Sequence, residues 1–229
     1  AAALRSYVTD KTCAIMLELV QGEGGVNPAD ETFVREIVRL CRERDLLLIV
    51  DEIQTGMGRT GKLFAYEHYG IEPDIMTLAK GLGSGFPIGA MLGKAKLREA
   101  FSPGSHGTTF GGTPIAMAAG IATLETMLQE KLPERAAEMG DYFLKRFSEK
   151  LAGNPIVKQI RGKGLLIGIE CTVPAAELIS AIHERGVLVI TAGPQVIRVL
   201  PNLRVSREEA DEGIDIICSV LAEKAAAAN

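Results

Sequence analysis

Residues 46–50 read LLLIV and run straight into Asp51 and Glu52. A short apolar run bounded by polar residues and glycine reads as a strand buried on both faces, the kind found in parallel sheets covered by helices. Similar runs recur at residues 14–20, 75–78 and 88–92. Residues 31–44, between the first two, carry Phe33, Ile37, Leu40 and Cys41 at helical spacing. This alternation predicts an α/β fold with a mostly parallel sheet flanked by helices. In such sheets ligands gather at the carboxyl ends of the strands, and Asp51 stands at one of those ends. A carboxylate there needs a partner, because burying an unpaired charge is costly.

The second half of the chain changes character. Residues 114–130 and 134–151 are helical in pattern, separated at Pro133 and closed by Gly153-Asn154-Pro155. The stretch IVKQIRGKGLLIGIE predicts two strands joined by a glycine-rich turn at Gly162 and Gly164. Helices are predicted at 175–185 and 207–224, with strands at 187–190 and 196–200 and a fraying alanine-rich end. The expected organisation is a first domain over residues 1–125 and a small α+β domain over residues 126–229.

Composition narrows the function classes. A net charge of −4 and a pI near 5.5 provide no electrostatic footprint for nucleic acid. No apolar run approaches the roughly 20 residues that cross a bilayer, so a membrane role is not expected. Cys13, Cys41, Cys171 and Cys218 are scattered without a C-x-x-C pair, and His68, His106 and His183 form no H-E-x-x-H. Core thiols in a cytoplasmic, metal-free protein are therefore expected.

Three readings compete for the acidic strand end. LLLIVDE followed by GMGRTGKL resembles the parts of a phosphate-binding nucleotide hydrolase. However, Leu63 stands where a hydroxyl must reach Mg²⁺, and the loop follows the acidic strand too closely to have its own strand and helix. In a second reading Asp51 only caps a turn or pairs with Arg59. In the third it serves a bound group together with Lys80, which ends the apolar run IMTLA and precedes the glycine-rich GLGSGFPIGA. Free lysine has a pKa of about 10.4. One that attacks an aldehyde must be desolvated or sit near other positive charge, and the glycines would let backbone crowd a cofactor.

The motifs QGEGGV, DEIQTGMGRTGKLFAYEHYGIEPDIMTLAKGLGSGFPIGA, HGTTFGG and IRVLPNL together resemble the class III, pyridoxal-phosphate-dependent aminotransferases, most of all their acetylornithine branch. The resemblance implies a fold-type I architecture, with residues 1–125 the C-terminal portion of the large cofactor domain and 126–229 the small domain. It implies that Lys80 takes the cofactor aldehyde and then shuttles the proton, and that Asp51 pairs with the pyridinium nitrogen. Ile53 would lie against the ring, Gln54 would bond the ring hydroxyl, and Thr109 would reach the cofactor phosphate of a neighbouring subunit in a homodimer. Thr108 would approach substrate or phosphate. Arg198 would grip the substrate α-carboxylate, and Glu23 would pair with Arg198 when an ω-amino substrate binds. The implied reaction moves an amino group from N-acetylornithine to 2-oxoglutarate, in arginine biosynthesis. Ornithine, 4-aminobutyrate or succinyl-diaminopimelate are alternative donors.

The chain departs from the family pattern at Leu19, where proline is usual, and at Thr113, where asparagine is usual. Neither touches an implied catalytic group. The family's N-terminal phosphate cup, ring-stacking aromatic and second substrate arginine have no counterpart here. The resemblance therefore implies the C-terminal part of such an enzyme, with weak cofactor binding and little or no turnover on its own.

Overall fold

The computed structural model describes residues 2–227, which divide into two compact units. Unit one comprises Ala1–Leu19, Ala29–Met57 and Leu63–Glu130; unit two comprises Val20–Pro28, Gly58–Lys62 and Lys131–Asn229. The division after Glu130 follows a helix that contains the sequence-derived boundary at residue 125. Two short excursions, at 20–28 and 58–62, leave the first unit for the second.

The chain opens with α1 (Ala2–Tyr7) and β1 (Ala14–Leu17). The apolar run at 14–20 is not one strand, as its pattern suggested. It breaks at Glu18, and Val20 begins β2 (Val20–Gln21), which pairs with β3 (Asn27–Pro28) in unit two. Leu19 stays behind, its carbonyl accepting the Ala29 amide at 2.9 Å. Hydropathy cannot show this change of partner, because Leu19 and Val20 are both fully buried.

The first unit resumes with α2 (Glu31–Glu43), started by Asp30, whose carboxylate accepts the Phe33 amide at 3.0 Å. Its buried face carries Val34, Ile37, Leu40 and Cys41. Next come β4 (Leu47–Asp51), β5 (Ile75–Leu78) and β6 (Ala90–Gly93). The sheet order is β1-β4-β5-β6, parallel through its first three strands. The run at 88–92 supplies β6, which starts later than its pattern suggested and lies antiparallel to β5. Leu48, Val50, Met76 and Leu78 are buried on one face, whereas Met16 and Met91 on the other stand more than half exposed. The unit ends with α3 (Pro114–Gln129).

Lys131, in a left-handed conformation, separates α3 from α4 (Leu132–Lys150). Pro133 does not stop the preceding helix; it lies in the first turn of α4, where a missing N–H costs nothing. The antiparallel sheet of this unit has the order β7-β8-β10-β9, from β7 (Val157–Lys163), β8 (Leu166–Cys171), β9 (Ile190–Ala192) and β10 (Val196–Val199). The strand expected at 187–190 is displaced to 190–192. His183 Nε2 lies 2.7 Å from the Val189 carbonyl and holds that residue out of the ladder. Helices α5 (Ala175–Glu184) and α6 (Arg207–Ala227) complete the unit, and α6 continues to Ala227 beyond the end its sequence suggested. The core is built on Phe143, Phe147, Ile167, Ile169, Ile182 and Ile214. Three of the four cysteines are buried as expected, but Cys13 is exposed.

Candidate active site

In unit one, β4 and β5 are neighbouring parallel strands with Asp51 directly opposite Thr77. Both strands therefore finish at the same edge of the sheet, and Lys80 follows β5 there, in a tight turn from Lys80 to Gly83. Lys80 has φ 43, a left-handed conformation uncommon for a residue with a side chain. Gly81 and Gly83 behind it are close to other atoms. A Cβ on Gly83 would come within 2.6 Å of Ile88 Cγ2, and one on Gly81 within 3.2 Å of Met57 Cβ. The glycines thus let the turn close, and α3 packs against it.

Asp51 is half-buried, and one of its oxygens accepts the Ile53 amide at 2.9 Å. It therefore does cap the turn after β4, the plain role considered for it, and among the described residues its side chain does so through one of its two oxygens. Ile53 and Gln54 occupy that turn and are half-buried. The neighbouring Glu52 is buried, its carboxylate accepting the Thr55 hydroxyl and the Tyr66 amide, the latter at 2.9 Å. Burial pushes the Glu52 carboxyl pKa up, against those hydrogen bonds, which pull it down. Thr77 shares the Asp51 face of the sheet, and its buried hydroxyl has no hydrogen-bond partner among the described residues. Thr108 and Thr109 lie in an exposed loop ahead of α3.

In unit two, Arg198 sits on β10 and is 4% exposed. Its Nη2 meets Glu23 Oε1 at 2.8 Å, so the two residues paired by the resemblance are in contact. Glu23 comes from the turn between β2 and β3, and its side chain is 72% exposed. Arg59 donates to the Pro201 carbonyl at 2.6 Å and to that of Leu165 at 3.2 Å, fixing the segment that leaves β10. Burial lowers the Arg59 pKa to about 10. The glycine-rich loop around it is thus a strut beneath β10 and the β7–β8 turn.

The family model described as Aminotransferase class-III matches residues 1–221. The chain belongs to the class III aminotransferases. Among curated relatives of this class III chain, the acetylornithine aminotransferase of Bacillus subtilis (strain 168) is 54% identical over 213 residues, covering 93% of this chain and 55% of that protein. The acetylornithine aminotransferase of Streptococcus mutans is 50% identical, covering 95% of this chain and 58% of that one. The chain spans little more than half the length of these relatives. Among solved structures, ornithine aminotransferase from Plasmodium yoelii aligns with a TM-score of 0.93 at 34% identity, over 97% of this chain and 60% of that chain. Acetylornithine aminotransferase from Elizabethkingia anophelis aligns at 0.87 and 36% identity, over 92% of this chain and 54% of that chain.

Class III aminotransferases depend on pyridoxal phosphate, and the donor set in unit one fits that group. A carboxylate with one oxygen unpartnered among the described residues suits a protonated ring nitrogen, and a lysine in the turn after the next strand suits an aldehyde. The unpartnered Thr77 hydroxyl adds a polar atom on the same face. In the sequence Glu52 was named only as part of the acidic strand end, without a role of its own, and Thr77 was not singled out. Their only signal was position, beside a strand-end aspartate and in the run before Lys80.

Proposed function

We propose that this class III chain contributes to transamination between N-acetylornithine and 2-oxoglutarate in arginine biosynthesis, with pyridoxal phosphate as cofactor. The observation that carries the proposal is the arrival of Asp51, which ends β4, and Lys80, in the turn after the neighbouring parallel strand β5, at one edge of the sheet. Support for the donor comes from the acetylornithine names of relatives 54% and 50% identical to this chain. In this reading residues 1–125 are the C-terminal portion of the large cofactor domain and residues 126–229 the small domain.

Bound there, pyridoxal phosphate supplies an electron sink for charge at the substrate Cα and a carrier for the amino group between two half-reactions. Asp51 holds the proton on the ring nitrogen, its geometry set by the Ile53 amide. Lys80 would hold the aldehyde end of the cofactor and would carry the Cα proton at its Nζ. Ile53 would pack against the ring and Gln54 would hydrogen-bond its hydroxyl. Thr109 binds the cofactor phosphate of the other subunit of a homodimer, and Thr108 stands beside it. Arg198 takes the substrate carboxylate, for which its planar fork is suited, and Glu23 occupies Arg198 when an ω-amino group must be accommodated. The protein works in the cytoplasm, without nucleic acid or membrane.

Adding pyridoxal phosphate to the protein should produce a visible absorbance band that Lys80→Ala abolishes and Asp51→Asn weakens. A band that survives Lys80→Ala refutes the assignment. Ornithine is the second donor to test, because solved structures aligning over 97% of this chain include ornithine aminotransferases. A higher kcat/KM for ornithine than for N-acetylornithine would reverse the order of preference.

A further inference from the structure

Arg161, Gly168 and Arg198 lie abreast on the sheet of unit two. Arg161 on β7 and Arg198 on β10 are both in register with Gly168 on β8, which runs between them. Cross-strand partners in register direct their side chains to the same face, so two arginines flank a position without a side chain. The 20–28 segment fills that gap. A Cβ on Gly168 would sit 2.9 Å from Val26 Cβ and 3.1 Å from Val196 Cγ1.

Each arginine holds one part of the segment. Arg198 binds the Glu23 carboxylate at 2.8 Å. Arg161 binds backbone: its Nη2 donates to the Gly25 carbonyl at 2.7 Å, and its Nε lies 3.1 Å from that oxygen and 3.0 Å from the Val26 carbonyl. The guanidinium is itself fixed by Gln159 Oε1 at 3.0 Å and by the Glu170 carboxylate. Its hydrogen bond, together with its charge, holds Glu170 below the usual carboxylate range. Gly25, at φ 118, admits this approach, since a Cβ there would lie 3.2 Å from Arg161 Nη2.

We propose that Arg161 is a positioning residue that sets how firmly Glu23 occupies Arg198, and so which of two substrates Arg198 admits. This rests on the carboxylate-binding role proposed above for Arg198. The Glu23 side chain is largely in solvent, so the ion pair depends on where the backbone places it. Arg161 fixes that backbone two and three residues further on. Without the anchor, closing the pair must also order the turn, at a cost in conformational entropy. Glu23 then leaves Arg198 more often. Loss of Arg161 therefore favours substrates that present a carboxylate over those that present an ω-amino group. Lysine is a poor replacement, because it cannot span two carbonyls and two side-chain acceptors with one planar fork.

The test uses the 229-residue chain, ¹⁵N-labelled in arginine, with the five-carbon dicarboxylate glutarate as probe. In Arg161→Lys, the Arg198 Nε–H resonance should move toward its position in Glu23→Gln, and glutarate should saturate it at a several-fold lower concentration than in the wild type. Glu23→Gln/Arg161→Lys should bind glutarate no more tightly than Glu23→Gln alone. Arg161→Met should repeat these effects, with Arg161→Lys as the milder variant if folding suffers. A wild-type Arg198 resonance and glutarate affinity in Arg161→Lys, alongside altered ones in Glu23→Gln, overturn the proposal while leaving the role of Arg198 intact. No effect of Glu23→Gln overturns both. In the holoenzyme, Arg161→Lys should lower kcat/KM for the ω-amino donor relative to that for glutamate. That ratio does not depend on how much of the protein is folded.

Discussion

At position 52 a carboxylate lies almost wholly out of water, accepting the Thr55 hydroxyl and the Tyr66 amide. Its own amide donates to the Thr77 carbonyl at 3.0 Å, continuing the β4–β5 ladder past Asp51. Glu52 thus braces the turn that carries Ile53 and Gln54. Burial favours its neutral form, so its folded pKa lies above the unfolded one. The stability it contributes is complete below the unfolded pKa and lost as pH rises through the folded value. Glu52→Gln keeps an acceptor for Tyr66 and removes the titration. The melting temperature of the wild type should accordingly fall relative to that of Glu52→Gln as pH rises through and above the carboxylate range. Parallel melting curves across that range would rule out this account.

At the scale of elements, two helix glycines offer opposite outcomes. Gly140, inside α4, faces the β7–β8 turn so closely that a Cβ would lie 2.3 Å from the Gly164 carbonyl oxygen. Gly140→Ala must push the helix from the turn, and overpacking of this kind costs about 1–3 kcal/mol. Gly213, inside α6, has nothing within 4 Å of the same position. Gly213→Ala should stabilise by about 0.5–1 kcal/mol, because alanine loses less backbone entropy in a helix. Urea denaturation of the two variants measures the contrast. Both glycines look alike in sequence, as isolated glycines within helical patterns. The difference between them is the backbone of a turn that is distant along the chain.

For the molecule as a whole, α3 has the largest consequence. A helix that is apolar all round normally lies buried, yet Ile115, Ile121 and Leu128 are each more than half exposed, and Phe110 just before the helix is 83% exposed. Single soluble chains rarely leave large apolar areas uncovered. The 229-residue chain should self-associate as its concentration rises. Sedimentation velocity should show species above 24.5 kDa, and Ile121→Lys with Leu128→Lys should return the chain to that mass. A monomer at all concentrations would count against this.

What the sequence settled by itself was local and periodic. The strands β4 and β5 and the lengths of α3 and α4 follow from hydropathy runs and helix signals, with ends moved by a residue or two. Asp51 and Lys80 stood out as charged residues where apolar runs stop, and the motifs around them carried the family. What only the tertiary structure decided was partnership. The run at 14–20 serves two sheets, β6 runs antiparallel, and Arg161 and Arg198 flank the same glycine from strands far apart in the chain. Periodicity reports whether a residue is buried. It does not report against what, because that depends on contacts between segments whose separation along the chain leaves no local trace.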